Sequence, residues 1–327
     1  MKNIRIGIIS FAHMHANSYA AAVKALAGAE LVAIADEDRL RGEDAAKRFG
    51  ASYYADYRQM LALDIDAVIV TSENVRHLQM VEDAARAKKQ VLCEKPIATT
   101  VADAKRMIAT CREQGVILQT AFPVRFSPPV RRAREVVQAG QIGKVVAIRG
   151  TNHGRNPGGW FADRALSGGG AVLDHTVHVI DLMRWFTGSE VKSVYAEVDT
   201  CFTSGDIDDV GLLTLEFENG IIASHDPSWS RTSSFPTWGD VTMEIVGTGG
   251  VTRLDALAQH MTLHSEAKHH TSYEPWGDSF DDGLIADFVD CVREKRAPSI
   301  SGEDGLRALE VALAAYESAR TGRPVTL

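Results

Sequence analysis

Cysteine is scarce and scattered. Cys93, Cys111, Cys201 and Cys291 are the four in 327 residues, with no Cys-x-x-Cys pair. Such spacing excludes a thiolate zinc knuckle and a disulfide framework, and it fits reduced thiols in a cytoplasmic chain. Long apolar runs are missing too: Met-Lys-Asn-Ile-Arg-Ile-Gly-Ile-Ile meets Ser10 and His13 too soon for a signal core, so no signal peptide is expected. No run approaches the ~20 residues of a membrane span. Positive charge is in deficit, with 35 Lys and Arg against 43 Asp and Glu, a net −8. A nucleic-acid or anionic-membrane partner is therefore not expected, and a small molecule is. There is no internal repeat or low-complexity tract. With 45% apolar and 24% charged residues, the chain has ordinary globular usage and length enough for about two domains.

What is present first is alternation of short apolar runs with helical patterns. Strands are expected over 4–9, 30–35, 67–70, 90–93 and 117–120, with helices of 3.6-residue apolar spacing over 16–27, 39–49, 78–87 and 102–114. Continuously apolar strands of this kind suit a parallel sheet covered on both faces. After Phe122 the pattern changes. Pro123, Pro128 and Pro129 interrupt it, and longer alternating strands begin near Lys144, over 191–201, 211–217, 221–229, 241–246 and 261–264, with helices over 171–186, 281–293 and 302–320. The fold class is α/β: an N-terminal Rossmann doubly wound parallel sheet over 1–122, then an α+β domain over 123–327 with a large, mostly antiparallel open sheet.

A strand running into a helix at the N-terminus is where such a fold cradles pyrophosphate, because helix N-terminal N–H groups and the helix dipole attract it. The three glycine positions of the fingerprint fall on Ser10, Ala12 and His15, with His13 inside the loop. The second strand ends in Asp36, whose carboxylate can accept from both ribose hydroxyls and repel a 2′-phosphate. That favours NAD, while Arg39 and Arg41 nearby leave NADP possible. Thr71, Asn74 and His77 follow the third strand, and Cys93-Glu94-Lys95-Pro96 the fourth, at the carboxyl edge where ligands bind. The candidate cofactor set is thus Ser10, Ala12, His13, His15, Asp36, Arg39, Thr71, Asn74, His77, Glu94 and Lys95. Lys95 can also hydrogen-bond a substrate hydroxyl and assist proton removal.

Behind Gly168-Gly169-Gly170, a helical pattern carries Asp174 and His178 at i and i+4, with Asp181 following on the same stripe. Leu173, Val177, Ile180 and Met183 form the opposite, packed side. Burying that polar stripe without partners is costly, so it is expected to line a cavity. His178 is the natural base for a substrate hydroxyl, its ordinary pKa of about 6.5 lying near working pH.

These motifs, in this order, resemble the glucose-fructose oxidoreductase, inositol dehydrogenase and MocA (Gfo/Idh/MocA) family almost end to end. The resemblance rests on 6–9, Asp36, Glu94-Lys95-Pro96, the segment ending Arg125-Phe126, Gln141-Ile142-Gly143, the Gly-Gly-Gly-x-x-x-Asp-x-x-x-His-x-x-Asp stretch, 244–250 and Ser301-Gly302-Glu303-Asp304-Gly305. It implies an NAD(P)-dependent dehydrogenase of CH–OH groups, in a homodimer or homotetramer. Lys95, Asp174 and His178 would stand around the nicotinamide: His178 takes the hydroxyl proton, Lys95 and Asp174 polarise the hydroxyl, and a secondary alcohol of a sugar, sugar derivative or cyclitol gives up hydride. Two other outcomes within the family stay open, a redox-neutral NAD-dependent glycoside-cleaving enzyme and a non-catalytic sugar/NAD sensor.

Histidine departs from the usual family text. His13 and His15 stand in the glycine loop, where they are read as phosphate or ribose contacts, and His175 follows Asp174. The candidate substrate set is Arg125, His153, Trp160 and His175. Trp229, Trp238 and Trp276 offer further stacking faces, and Arg155 and Arg231 could read an acidic substituent. No ligand spacing joins His153, His175 and His225 into a metal site, and no metal is expected.

Overall fold

The computed structural model describes residues 3–327 apart from 268, 276 and 277, so Trp276 lies outside the described residues. The chain forms two compact units. The first runs to Pro123 and takes in Ala165–Ser167 and Asp281–Leu306; the second comprises Val124–Arg164, Gly168–Phe280 and Arg307–Leu327. The units do not follow one cut in the sequence.

In the first unit β1 (Ile4–Ile9), α1 (His15–Ala25), β2 (Ala29–Ala35), α2 (Arg39–Phe49), β3 (Ser52–Tyr54) and α3 (Tyr57–Leu61) make one half. The other half is β4 (Ala67–Val70), α4 (His77–Arg86), β5 (Gln90–Cys93), α5 (Val101–Gln114) and β6 (Leu118–Thr120). The sheet order is β3-β2-β1-β4-β5-β6, with every pairing parallel. Sequence order reverses between β1 and β4, which creates the crevice at the carboxyl ends where doubly wound sheets take ligands. Residues 67–70 of β4 are all 0% exposed, as a strand covered on both faces requires. Local signals bound the helices. Asp38 caps α2 by accepting from the Arg41 N–H at 3.1 Å, and Thr100 caps α5 by accepting from Asp103 N–H at 3.1 Å.

β3 and α3 are additions to the elements expected from sequence. At three and five residues they are too short for periodicity to register. Pro128 and Pro129 also act otherwise than expected. Instead of interrupting structure they open α6 (Pro128–Gln138), where a missing N–H and a fixed φ cost nothing.

The second unit continues with β7 (Val145–His153), the short α7 (Arg164–Ser167) at its border, α8 (Ala171–Thr187), β8 (Val191–Asp199), β9 (Val210–Phe217) and β10 (Ile222–Asp226). After these come β11 (Asp240–Gly247), β12 (Gly250–Asp255) and the hairpin β13 (His260–Ser265) and β14 (His270–Pro275). Next, α9 (Phe280–Glu294) falls almost wholly in the first unit, while α10 (Gly302–Thr321) and β15 (Val325–Thr326) end the chain. The seven-stranded order is β12-β11-β7-β10-β9-β8-β15, antiparallel except where β10 pairs with β7. Along β9, Leu213, Leu215 and Phe217 are at most 2% exposed while Leu212 is 57% exposed, the period-two signature of one packed face. No helix among the described residues is long and apolar enough to cross a membrane.

Candidate active site

The β1–α1 loop carries a serine where the fingerprint has its first glycine. Ser10 adopts φ 72°, the left-handed region that favours glycine, and its hydroxyl accepts from Ala12 N–H at 3.1 Å, which holds the turn. Across the switch point, the Thr71 hydroxyl donates to the Ser10 carbonyl at 2.6 Å, and His13 N–H donates to the Thr71 carbonyl at 3.0 Å. Asn74 Nδ2 donates to the Ser167 carbonyl at 2.8 Å. His77 is fully buried, with Nδ1 3.0 Å from the Pro96 carbonyl and Nε2 3.3 Å from that of Ser72. In this structure Asn74 and His77 brace the loops of the crevice through backbone carbonyls.

At the carboxyl ends of β1 and β2 a cleft of about 240 Å³ is lined by Ser10, Asp36, Glu37, Tyr57, Arg58 and Arg76, among others. Asp36 is at the place expected for a ribose-binding acid, but its carboxylate is saturated. Oδ2 accepts from Phe11 N–H at 2.7 Å and Arg41 Nε at 2.8 Å, and Oδ1 from Asp38 N–H at 2.9 Å and Arg41 Nη2 at 2.8 Å. Arg39 instead pairs with Glu43 at 2.8 Å on the surface. Tyr57, Arg58 and Arg76 escaped the sequence reading because α3 and the turn before α4 carry no motif.

His13 and His15 converge on Glu94, which is 0% exposed. His15 Nδ1 lies 2.9 Å from Glu94 Oε1 and His13 Nε2 4.0 Å from Oε2, while Lys95 N–H donates to Oε2 at 2.9 Å. Burial favours the neutral carboxyl, yet the two imidazoles outweigh it and hold Glu94 well below the usual carboxylate range. For His15, burial lowers the pKa, and the Glu94 carboxylate reverses that and raises it. Among the described residues this is the group of three with donor atoms close enough for a metal, within 4.8 Å of one another. Its protons argue otherwise. His13 Nδ1 accepts from His15 N–H at 3.2 Å, which leaves the ring proton on Nε2, whereas a ligating Nε2 must be bare with Nδ1 donating. The loop histidines thus clamp the acid that precedes Lys95.

In the second unit, Gly170 opens α8 with N–H groups fixed by Asp208: Gly170 N–H donates to Oδ1 at 2.9 Å and Val172 N–H to Oδ2 at 2.8 Å. A side chain at 170 would meet the Asp208 carbonyl oxygen at 1.9 Å, so glycine is required there. Asp174 lies in the first turn, where the helix dipole favours an anion. From Ala171 to Met183, Asp174 at 7% and His178 at 8% are the two side chains more than 1% exposed. Asp181, expected on the same cavity stripe, is instead 0% exposed in an ion pair with Arg125 Nε at 2.6 Å. Arg125, read as a substrate contact, is also 5.5 Å from the Trp185 ring centre, a packing role.

The remaining substrate candidates divide. His175 is 1% exposed, with Nδ1 2.7 Å from the Asn152 carbonyl and 2.8 Å from that of Pro227, so it ties α8 to the sheet. Trp160 stacks on Phe161 at 3.9 Å and packs against the cluster of Phe161, Ala171, Ile207 and Trp229. Trp238 keeps 42% exposure, edge-on to His175. His153 sits between Asp240 at 3.0 Å and Asp226 at 3.2 Å, and Arg231 binds the same Asp240 at 2.6 Å. Burial works against the His153 imidazolium, but the two carboxylates raise its pKa to about 9. Arg155 donates to the Thr237 carbonyl at 3.1 Å, so neither Arg155 nor Arg231 is idle.

Comparison with known proteins follows the same division. Residues 4–122 match the oxidoreductase family with an NAD-binding Rossmann fold, GFO/IDH/MocA, and residues 130–253 match the GFO/IDH/MocA C-terminal domain. The scyllo-inositol 2-dehydrogenase (NAD+) of Bacillus subtilis is 31% identical over 98% of this chain and 95% of its own length. The myo-inositol 2-dehydrogenase of Thermotoga maritima is 31% identical over 99% of this chain and 98% of its own. Among solved structures, GenD2 from gentamicin A biosynthesis in complex with NAD superimposes with a TM-score of 0.93 at 26% identity, covering 100% of this chain and 97% of that one.

Proposed function

The chain belongs to the GFO/IDH/MocA family of NAD-dependent oxidoreductases, and from that premise we propose that it oxidises a secondary hydroxyl of a sugar, sugar derivative or cyclitol, or reduces the matching ketone. The observation that carries this reading is the polar pair on α8: on a stretch otherwise at most 1% exposed, an acid and an imidazole one turn apart keep 7% and 8% exposure, and the acid also lies 3.4 Å from His175 Nε2. Bound NAD supplies the hydride acceptor. His178 accepts the substrate hydroxyl proton at a ring nitrogen, and Lys95 and Asp174 hold and polarise that hydroxyl, Lys95 by donating to its oxygen as charge develops. Glu94, clamped by His13 and His15, fixes the backbone from which Lys95 projects. The apolar residues Leu212, Ile222 and Val251, 53–59% exposed on the second unit's sheet, support a homo-oligomer, either dimer or tetramer. Four free cysteines support a reducing, cytoplasmic setting.

The test is a panel of sugars and cyclitols with NAD, following nicotinamide absorbance and substrate consumption together. Lys95→Ala and His178→Ala should each cost at least ~10²-fold in kcat/KM on the substrate found, the usual scale of acid–base contributions. Wild-type activity in both variants would remove the assignment. Substrate cleaved without NADH accumulating would favour redox-neutral chemistry instead.

A further inference from the structure

The tie between α8 and the sheet occupies one nitrogen of His175 and thereby fixes the state of the other. Nδ1 lies 2.7 Å from the Asn152 carbonyl and 2.8 Å from that of Pro227, and carbonyl oxygens only accept, so Nδ1 carries a hydrogen. A neutral ring then has its lone pair on Nε2. That nitrogen lies 3.4 Å from Asp174 Oδ2, so a neutral ring would set a lone pair against a carboxylate oxygen. The approach is specific to this site, because consecutive residues of a helix ordinarily do not face each other. Neighbours of the second unit hold the ring there. A Cβ on Gly154 would stand 2.8 Å from the ring's Cε1, and Trp229 and Trp238 meet the ring edge-on with centroids 6.3 and 5.4 Å away.

A proton between Nε2 and Oδ2 removes the conflict, and the surroundings favour its lying on the ring. Two carbonyls accept from the far side of the imidazolium, and the dipole of α8 favours the anionic form of Asp174 in the first turn. On the sheet side the nearby imidazole gives way: burial above all lowers the pKa of His225, on β10, to about 3, and the charge of His175 acts in the same direction. His153, on β7, is matched by Asp226 and Asp240.

We propose that His175 is a positioning residue of the candidate active site, an imidazolium that pairs with Asp174 and keeps that carboxylate ionised, fixed in place and charge-compensated beside the substrate hydroxyl. An uncompensated anion would oppose the negative charge that gathers on the hydroxyl oxygen during proton transfer. Paired with His175, Asp174 polarises the hydroxyl and adds no net charge. The effect on rate rests on the dehydrogenase reading above, whereas the charge of the ring is measured without substrate.

The first measurement is NMR of the ring nitrogens in full-length protein labelled at histidine, with His175 assigned by its absence from His175→Asn or His175→Gln. At about pH 8, above the ordinary histidine value of about 6.5, both nitrogens of His175 should carry hydrogen in the wild type. In Asp174→Asn, which keeps the size of the side chain and removes its charge, Nε2 should lose its hydrogen while Nδ1 keeps its own. A bare Nε2 in the wild type, or a ring unchanged by Asp174→Asn, would overturn the proposal.

Activity on the substrate that the panel finds is the second measurement. Asparagine places an N–H where Nδ1 stands and nothing at the ε position, and glutamine does the reverse. His175→Asn should therefore melt near the wild type yet lose about ten- to a hundredfold in kcat/KM, the worth of one charge-assisted hydrogen bond. His175→Gln should be the less stable of the two and the more active, since its amide still donates to Asp174. Activity that falls in the order of stability would show a merely structural His175 and overturn the proposal. If His175→Asn does not fold, the ring nitrogens of the wild type and Asp174→Asn decide. If the panel finds no substrate, the dehydrogenase reading is removed, and the ion pair stands or falls by the ring nitrogens alone.

Discussion

Two clusters are built from histidine and carboxylate, one in each unit, with opposite stoichiometry. In the first unit one anion, Glu94, serves two imidazoles and a peptide N–H. In the second unit one imidazole, His153, serves two carboxylates, Asp226 and Asp240, and Arg231 joins them. Both sides of each cluster shift: Glu94 falls while His15 rises, and His153 rises while Asp226 and Asp240 fall. Glu94 stays ionised far into acid, whereas His153 stays protonated to about pH 9. The teaching is that residue type alone does not assign a role. The first cluster supports the residue next to it in sequence, Lys95, and the second is a charged clamp across β7, β10 and β11.

The comparison is broken most severely at Glu94. Glu94→Gln removes a fully buried anion from between two imidazoles and should cost about 3 kcal/mol, the lower end for a broken buried pair. Denaturant unfolding checks this, and a loss below about 1 kcal/mol would mean the imidazoles do not depend on it. The second cluster is probed by pH. The folded His153 pKa of about 9 lies above its unfolded value of 6.5, so its contribution is full below pH 6.5 and is lost as pH rises through about 9. The shift corresponds to roughly 3 kcal/mol, discounted to about 2 because Asp226 is partly open to water. Thermal melts from pH 6.5 to 9.5 should show this loss in the wild type and not in His153→Gln.

Smaller effects sharpen the contrast with neutral contacts. Thr71→Val removes one hydrogen bond to the Ser10 carbonyl and should cost about 1 kcal/mol in the same unfolding assay. Ser10→Gly gains by releasing a left-handed serine and loses the hydroxyl bond to Ala12, so stability should move by less than about 0.5 kcal/mol. A loss above about 1 kcal/mol would show that the hydroxyl governs the loop.

How much of this was legible in the chain depends on whether a residue's partner is local. The parallel strands and α8 follow from periodicity, so their positions agree to within a few residues. Asp174 and His178 were legible because one helical turn joins them. The partner of Asp181 was not, since Arg125 lies 56 residues away and nothing local announces the pair. His175 and Trp160 carry chemistry-bearing side chains that folding spends on backbone carbonyls and on packing. Asp36 was placed by its motif, but the arginine covering it could be suspected only from proximity. A residue's type gives what it can do, and its three-dimensional partner decides whether it does so.

The most direct measurement of the account is the substrate panel run with NAD on the wild type beside Lys95→Ala and His178→Ala. The account predicts NADH formed in step with oxidation of a secondary hydroxyl of a sugar or cyclitol, with at least ~10²-fold loss in each variant. Full activity in both variants, or substrate consumed with no change in nicotinamide absorbance, would contradict it.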